Sequence, residues 1–290
     1  MLWVAAVVGV VLVFAAAAKG VGGGLGDRPS YWLAAWDDIR AHPLLGSGAG
    51  SFQRVWLEHR TEPVAVLNAH SLYVETLAEL GPLGLATLTV ALAVPLAAAV
   101  RARRSPIVAA LFAGYAVFLA HAALDWDWQL PAVTLSGLLC AAGLLVAARP
   151  GDARRLGTRR LAALVAAMLA LAALAAFAAV GSRALGTAEH AANSGDWTTA
   201  GRDAKEASWW QPWSSEPVFL IADAKLASGD PTGALADFAI AARMSPNDWR
   251  IWYETGRSGN QQQRQQALAQ LSHLNPLLIN RAYASNRSRN

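Results

Sequence analysis

The sequence predicts an all-α chain: a polytopic bundle of about five membrane-spanning helices followed by a soluble helical-repeat domain. Three observations carry that prediction. Hydrophobic residues make up 54% of the 290 and charged residues only 15%, too apolar a balance for an ordinary soluble globule. Apolar runs of near-bilayer length alternate with short links in which basic residues collect. Beyond residue 181 the chain turns polar and repeats itself every 34 residues. The net charge of +4 alone would admit a nucleic-acid partner, but cations confined to short links mark cytoplasmic loops, and no nucleic acid is expected. The single cysteine, Cys140, lies within an apolar run, which excludes an intrachain disulfide and a thiolate metal site.

Residues 2–18 form the first apolar run, followed by Lys19 and a glycine-rich tract to residue 26. The run could be the apolar core of a signal peptide, but it lacks a basic segment before it and is longer than usual, which favours reading residues 1–26 as a retained first transmembrane helix with a linker. That helix also fits as the last of several in a longer parent chain whose natural start is not Met1. Residues 27–81 read as an extracytoplasmic loop whose last part, 70–80, has helical spacing, with His70, Tyr73, Val74 and Leu77 on one face. Gly81 and Pro82 punctuate it, proline being well tolerated at the start of a new helix.

Residues 82–180 then hold spans two to five. Residues 82–100 carry no charge and would make about 28 Å of helix at about 1.5 Å per residue. The link Arg101-Ala102-Arg103-Arg104-Ser105 follows, then an apolar run over 106–124 ending in Asp125-Trp126-Asp127-Trp128, which has the character of an interfacial belt. A run over 130–148 leads into RPGDARRLGTRR, with five arginines against one aspartate, and residues 161–180 are almost pure Ala and Leu. A bilayer leaves unpaired backbone groups no partner, so these runs are helices. If they alternate in direction, both arginine-rich links fall on one side, which the positive-inside rule makes the cytoplasm. The N-terminus is then cytoplasmic, and the 27–81 loop, the Asp125 turn and everything after residue 180 are extracytoplasmic.

Residues 181–281 form the repeat domain. Ser194-Gly195-Asp196 recurs as Ser228-Gly229-Asp230, with Ala200 matching Ala234, Ala207 matching Ala241 and Pro212 matching Pro246. A third, degraded unit runs from Trp249 through Ala267 and Leu268 to Pro276. The period, the small residues inside helices and the closing proline resemble the tetratricopeptide repeat. Residues 282–290 are polar and read as a disordered tail.

Charged, aromatic and glycine residues crowd together between residues 27 and 84, so chemistry is sought there first. Arg28 precedes Tyr31, Trp32 and Trp36. Its guanidinium suits two hydrogen bonds to phosphate oxygens, or else snorkels to lipid headgroups. Arg40 and Arg54 lie in the same stretch and are further candidates for binding an anionic substrate. His70, at the start of a helix, is either a general base toward a hydroxyl or an interfacial histidine satisfied by loop carbonyls. The alternate glycines 46, 48 and 50 lack the Lys-Ser/Thr of a phosphate loop and read as a tight turn that lets backbone approach another helix or a ligand. Glu75 and Glu79, four apart, share a face that points away from His70 and are expected to cap or solvate an interfacial helix. His121 and Asp125, also four apart, are candidate supporting residues. No His, Asp and Glu cluster has metal-ligand spacing, and no Gly-x-Ser-x-Gly elbow is present.

Arg28-x-x-x-Trp32, then HPLLGSGAGSF over 42–52, then AHSLYVETLAELGPLGL over 69–85 resembles the C-terminal core of the O-antigen ligase and polymerase superfamily of bacterial membrane glycosyltransferases. The two longer motifs are specific as a pair, and the resemblance extends to residue 148. It implies an enzyme of the bacterial cytoplasmic (inner) membrane that takes a glycan from an undecaprenyl-diphosphate carrier on the outer face. The glycan passes to a hydroxyl of a glycan, lipid or protein acceptor, by ligation or polymerisation, with neither metal nor other cofactor. By the same resemblance His70 activates or positions the acceptor and Arg28 binds the donor diphosphate, and the repeat tail offers a surface to a protein partner. Superfamily members commonly have His-Asn where this chain has His70-Ser71, and more spans than five, so the chain is expected to be either a fragment of a longer one or a shortened, inactive relative. A rival reading from another class is a non-catalytic membrane-anchored scaffold for cell-envelope assembly. A third reading, a transporter or flippase, would need charges or broken helices at mid-membrane, of which these runs have almost none.

Overall fold

The computed structural model describes residues 27–149 and 157–287, and among these every regular element is a helix. The expected first span, residues 2–18, lies outside the described residues. The chain divides into two compact units, Met1–Ala153 and Arg154–Asn290.

In the first unit the segment expected as an open loop contains two helices, α1 (Arg28–Ala41) and α2 (Phe52–His59). Pro29 sits in the first turn of α1, where its missing N–H costs nothing. Tyr31, Trp32, Ala34, Ala35 and Asp38 then fall on one buried face. Helix α2 buries Phe52, Val55, Trp56 and Leu57, and apart from Leu57 these residues join Val66, Ala69, Val74 and Ala78 in a single apolar cluster. Burying side chains as large as Trp32 and Phe52 is worth roughly 1.5–3 kcal/mol each, which holds a polar segment of chain in one shape.

Helix α3 (Leu72–Arg101) joins the expected short helix to the expected second span, with a break at Gly81, whose φ is 66°. It is long and apolar enough to cross a membrane. The apolar helices α4 (Pro106–Ala122) and α5 (Pro131–Ala147) have 17 residues each, roughly 25 Å at about 1.5 Å per residue and short of the hydrocarbon thickness. A 3₁₀ turn, Asp127–Gln129, connects them. Ala99, Val108, Tyr115, Phe118, Ala141 and Leu144 form the core of this bundle. Small residues let the helices meet: a Cβ on Gly137 would lie 2.5 Å from the Phe118 ring, and one on Gly114 2.9 Å from the Cys140 sulfur.

The second unit begins with α6 (Thr158–Asn193), the other helix long and apolar enough to cross a membrane; its apolar stretch is exposed throughout. Six helices follow: α7 (Trp197–Trp210), α8 (Glu216–Ala227), α9 (Pro231–Met244), α10 (Trp249–Ser258), α11 (Gln261–Leu274) and α12 (Pro276–Arg287). The two Ser-Gly-Asp turns share one geometry. Gly195 and Gly229 have φ of 81° and 84°, and Asp196 and Asp230 cap the next helix by accepting from Thr199 and Gly233 N–H at 3.0 and 2.8 Å. The matched alanines 200, 207, 234 and 241 are fully buried, as is Ala267 in the third unit, where Asn260 and Gln263 form a capping box. Arg250 ties the hairpins together, donating to Glu216 at 2.6 Å and to Asp248 at 2.7 Å with its guanidinium over Phe219. Helix α12 includes residues 282–287 of the expected tail.

Candidate functional site

The site is built on two pieces of irregular backbone that complete each other. At the break in α3, Pro82 has no N–H to give Ala78 carbonyl, and Gly81 turns the chain away from Glu79 carbonyl. Both acceptors are taken up by the glycine tract: Ser47 N–H donates to Ala78 O at 3.0 Å and Gly48 N–H to Glu79 O at 2.9 Å. The approach is close enough that a Cβ on Gly46 (φ 70°) would lie 2.4 Å from the Glu79 carbonyl, and one on Gly81 2.4 Å from Leu44 O. The Glu79 carboxylate then returns to the same loop, accepting from Gly50 N–H at 2.8 Å and Phe52 N–H at 3.0 Å, which caps α2. Asp38, also buried, accepts from His42 Nδ1 at 2.9 Å and Ser47 Oγ at 2.5 Å and fixes the other end of the tract. The two sequence motifs are thus one interlocked structure.

The second piece carries His70, a non-glycine residue with φ of 52°, in the left-handed region that costs an ordinary side chain roughly 1–2 kcal/mol. A set of side-chain contacts holds it there. Glu75 accepts from Ala69 N–H at 2.8 Å and from Gln129 Nε2 at 3.5 Å. Gln129 Oε1 accepts from Asn68 Nδ2, and Asn68 Oδ1 accepts from His70 N–H, both at 3.3 Å. Trp32 Nε1 donates to Ala69 O at 2.9 Å, and Ser71 caps α3 immediately after. The imidazole lies 5.1 Å, centroid to centroid, from the Tyr31 ring. Its Nδ1 is 3.2 Å from Asn68 O. A carbonyl can only accept, so Nδ1 is the donor, and in the neutral imidazole Nε2 is left as the acceptor.

Glu75 and Glu79 therefore do not face solvent, and Glu75 does not point away from His70. Both are buried, and Glu75 holds the amide next to it. Their i, i+4 spacing showed only that they share a face; burial came from the loop that packs on that face.

Arg28 opens α1 and donates from Nη2 to Asp125 Oδ2 at 2.7 Å, across 97 residues of sequence. Burial pushes the Asp125 carboxyl up, but the Trp126 N–H, the Arg28 guanidinium and His70 outweigh it and hold the group below the usual carboxylate value. Tyr31, three residues on from Arg28, brings the same helix to the His70 imidazole. His121 pairs with Asp127, not Asp125: its Nδ1 lies 2.6 Å from Asp127 Oδ2, and it meets Asp125 only through the backbone bond from Asp125 N–H to His121 O. Arg40 lies about 18 Å along α1 from Arg28 at about 1.5 Å per residue, exposed and stacked on Trp36. Arg54 is engaged with Glu58 on α2 at 2.9 Å. Among the described residues no group of three His, Cys, Asp or Glu side chains is placed to hold a metal ion.

Fold and site together define an α-helical protein with helices apolar and long enough for a bilayer, one of which carries at its polar end a cap bearing arginine, histidine and carboxylates. Residues 1–89 match the family described as O-antigen ligase, and over that stretch the match supports a resemblance to the O-antigen ligase superfamily. The matched stretch contains α1, α2, the His70 turn and the start of α3, and Asp125 and Gln129 lie beyond it. No curated protein and no solved structure matches the chain.

Proposed function

We propose that the protein acts as a membrane glycosyltransferase of the O-antigen ligase type, moving a glycan from undecaprenyl diphosphate to an acceptor hydroxyl on the outer face of the bacterial cytoplasmic membrane. In this reading the five apolar runs are spans, the N-terminus is cytoplasmic, and the α1–α2 cap and the tetratricopeptide-like repeats are extracytoplasmic. His70 Nε2 takes the proton of the acceptor hydroxyl, whose oxygen attacks the anomeric carbon of the donor sugar. The bond from that carbon to the diphosphate oxygen breaks, and undecaprenyl diphosphate leaves with its charge stabilised by Arg28. Asp125 orients the guanidinium, and Glu75, Gln129 and Asn68 orient the imidazole.

One observation supports this most directly: Arg28 at the start of α1 is bonded to Asp125 at 2.7 Å, and Tyr31, three residues on along the same helix, lies 5.1 Å from the His70 imidazole, so one helix serves both side chains. The family match over residues 1–89 supplies the class of reaction. The test is glycan transfer from a lipid-diphosphate donor in proteoliposomes. Wild type is expected to transfer and His70→Ala to lose the activity; equal rates refute the reading.

A further inference from the structure

Helix α6 does not end where its apolar stretch ends. The apolar residues run to Val180, and residues 181–193 continue the helix for about 20 Å at about 1.5 Å per residue. After the Ser194-Gly195-Asp196 turn, α7 returns alongside for 14 residues, about 21 Å. The two lengths nearly cancel, so α7 ends beside the last apolar turn of α6. The contacts agree: the Trp210 and Phe177 rings are 5.1 Å apart, Gln211 Nε2 donates to Ser182 Oγ at 3.3 Å, and a Cβ on Gly181 would lie 2.7 Å from Gln211 Cγ. At that level the chain runs Trp209-Trp210-Gln211-Pro212-Trp213, with Trp209 71% and Trp213 66% exposed. Trp209 is held edge-on to Trp210 at 4.7 Å, so its exposure is a fixed presentation of the ring. Leu171, Leu174 and Phe177 of α6 are exposed and lie just before it.

We propose that the 209–213 turn is an interfacial anchor that sits in the headgroup layer of the bilayer crossed by α6. A tryptophan ring has an apolar body and one polar N–H, which suits it to that layer and makes it costly to leave in bulk water. The occupant follows from continuity: the turn extends, at one level, the apolar surface of a helix built to lie in lipid. The anchor fixes the first helical hairpin of the C-terminal unit against the membrane surface. This goes beyond glycan transfer and does not depend on it.

The full chain in lipid nanodiscs tests it. Cys140→Ala removes the native thiol, and Pro212→Cys carries a fluorophore between the two exposed tryptophans. Ser228→Cys, at the far end of α8, serves as the reference. Nitroxide on the lipid headgroup is expected to quench position 212 several-fold more than 228, and aqueous iodide to quench it several-fold less. Adding Trp209→Ser and Trp213→Ser to the 212-labelled chain is expected to bring both readings toward those at 228. Equal quenching of 212 and 228 overturns the proposal. So does a 212 label shielded from lipid nitroxide and iodide alike, since another protein or a second copy would then cover it, and so does an unchanged reading without the tryptophans. If the double variant misfolds, the label at 212 in the otherwise wild-type turn still decides.

Discussion

Glu75 offers the sharpest perturbation: burial pushes its carboxyl up to about 7, and above that pH the carboxylate is an acceptor only, which sets the direction of every bond leading to His70. Gln129 must turn its NH₂ toward Glu75, which leaves its carbonyl for Asn68 Nδ2; Asn68 in turn presents its own carbonyl to the His70 amide. In Glu75→Gln the new side chain can keep its carbonyl on Ala69 N–H, but its NH₂ now faces Gln129. Gln129 flips, Asn68 flips after it, and an NH₂ is left facing the His70 N–H. The Ala69 amide should stay protected while the His70 amide loses a bond worth about 0.5–1.5 kcal/mol, a rise in exchange of roughly two- to 13-fold. Glu75→Ala instead strands the Ala69 amide, fully buried in the native protein, at a cost of about 1–3 kcal/mol or roughly five- to 150-fold faster exchange. Hydrogen exchange resolved at residues 69 and 70 in nanodiscs reads both. Transfer should fall in either variant, since a shift of about 1 Å in a reacting group can cost about 100-fold in rate. Wild-type protection of Ala69 in the alanine variant, or of His70 in the glutamine variant, refutes the account of how the turn is held.

Other consequences follow from the same contacts. Glu79→Ala leaves the Gly50 and Phe52 amides without their acceptor, and at about 1–3 kcal/mol each the α2 cap should open well below the melting temperature of wild type, read by exchange over residues 50–59. Gly46→Ala places a Cβ 2.4 Å from backbone that cannot move aside, at a φ of 70°, and should cost about 3 kcal/mol or more of stability in a thermal melt. In the C-terminal unit, burial first and then Glu254 push Asp223 up to about 7. Its folded value exceeds its unfolded value of about 4, so the folded state binds the extra proton between those limits. Asp223 therefore costs nothing below about pH 4, weakens the unit progressively as pH rises toward about 7, and levels off above. Asp223→Asn should raise the melting temperature at pH 8 and leave it nearly unchanged at pH 4; an equal gain at both refutes the assignment.

Sequence pattern revealed the paired motifs because each depends on residues with little choice: glycine where φ is positive at 46, 48, 50 and 81, and proline where an N–H must be missing at 82. It located the Ser-Gly-Asp turns for the same reason. It missed α1 and α2, whose short segments are mixed in polarity and take their helical shape from packing Trp32, Phe52 and Trp56 around Ala69 and Val74. It joined His121 to Asp125 by helical spacing, whereas the 3₁₀ turn brings Asp127 to His121 and leaves Asp125 for Arg28. A partner 97 residues away has no periodic signature, and neither does the chain from Glu75 through Gln129 to Asn68.

Binding and transfer of the donor, measured separately in one preparation, test the central claim most directly. With an undecaprenyl-diphosphate-linked glycan in nanodiscs, Arg28→Ala should bind donor roughly 10- to 150-fold more weakly, as expected for loss of a charged hydrogen bond of about 1.5–3 kcal/mol. His70→Ala should bind the donor as wild type does and fail to transfer it. Two variants that both bind and transfer like wild type would contradict the assignment of Arg28 to the diphosphate and His70 to the acceptor.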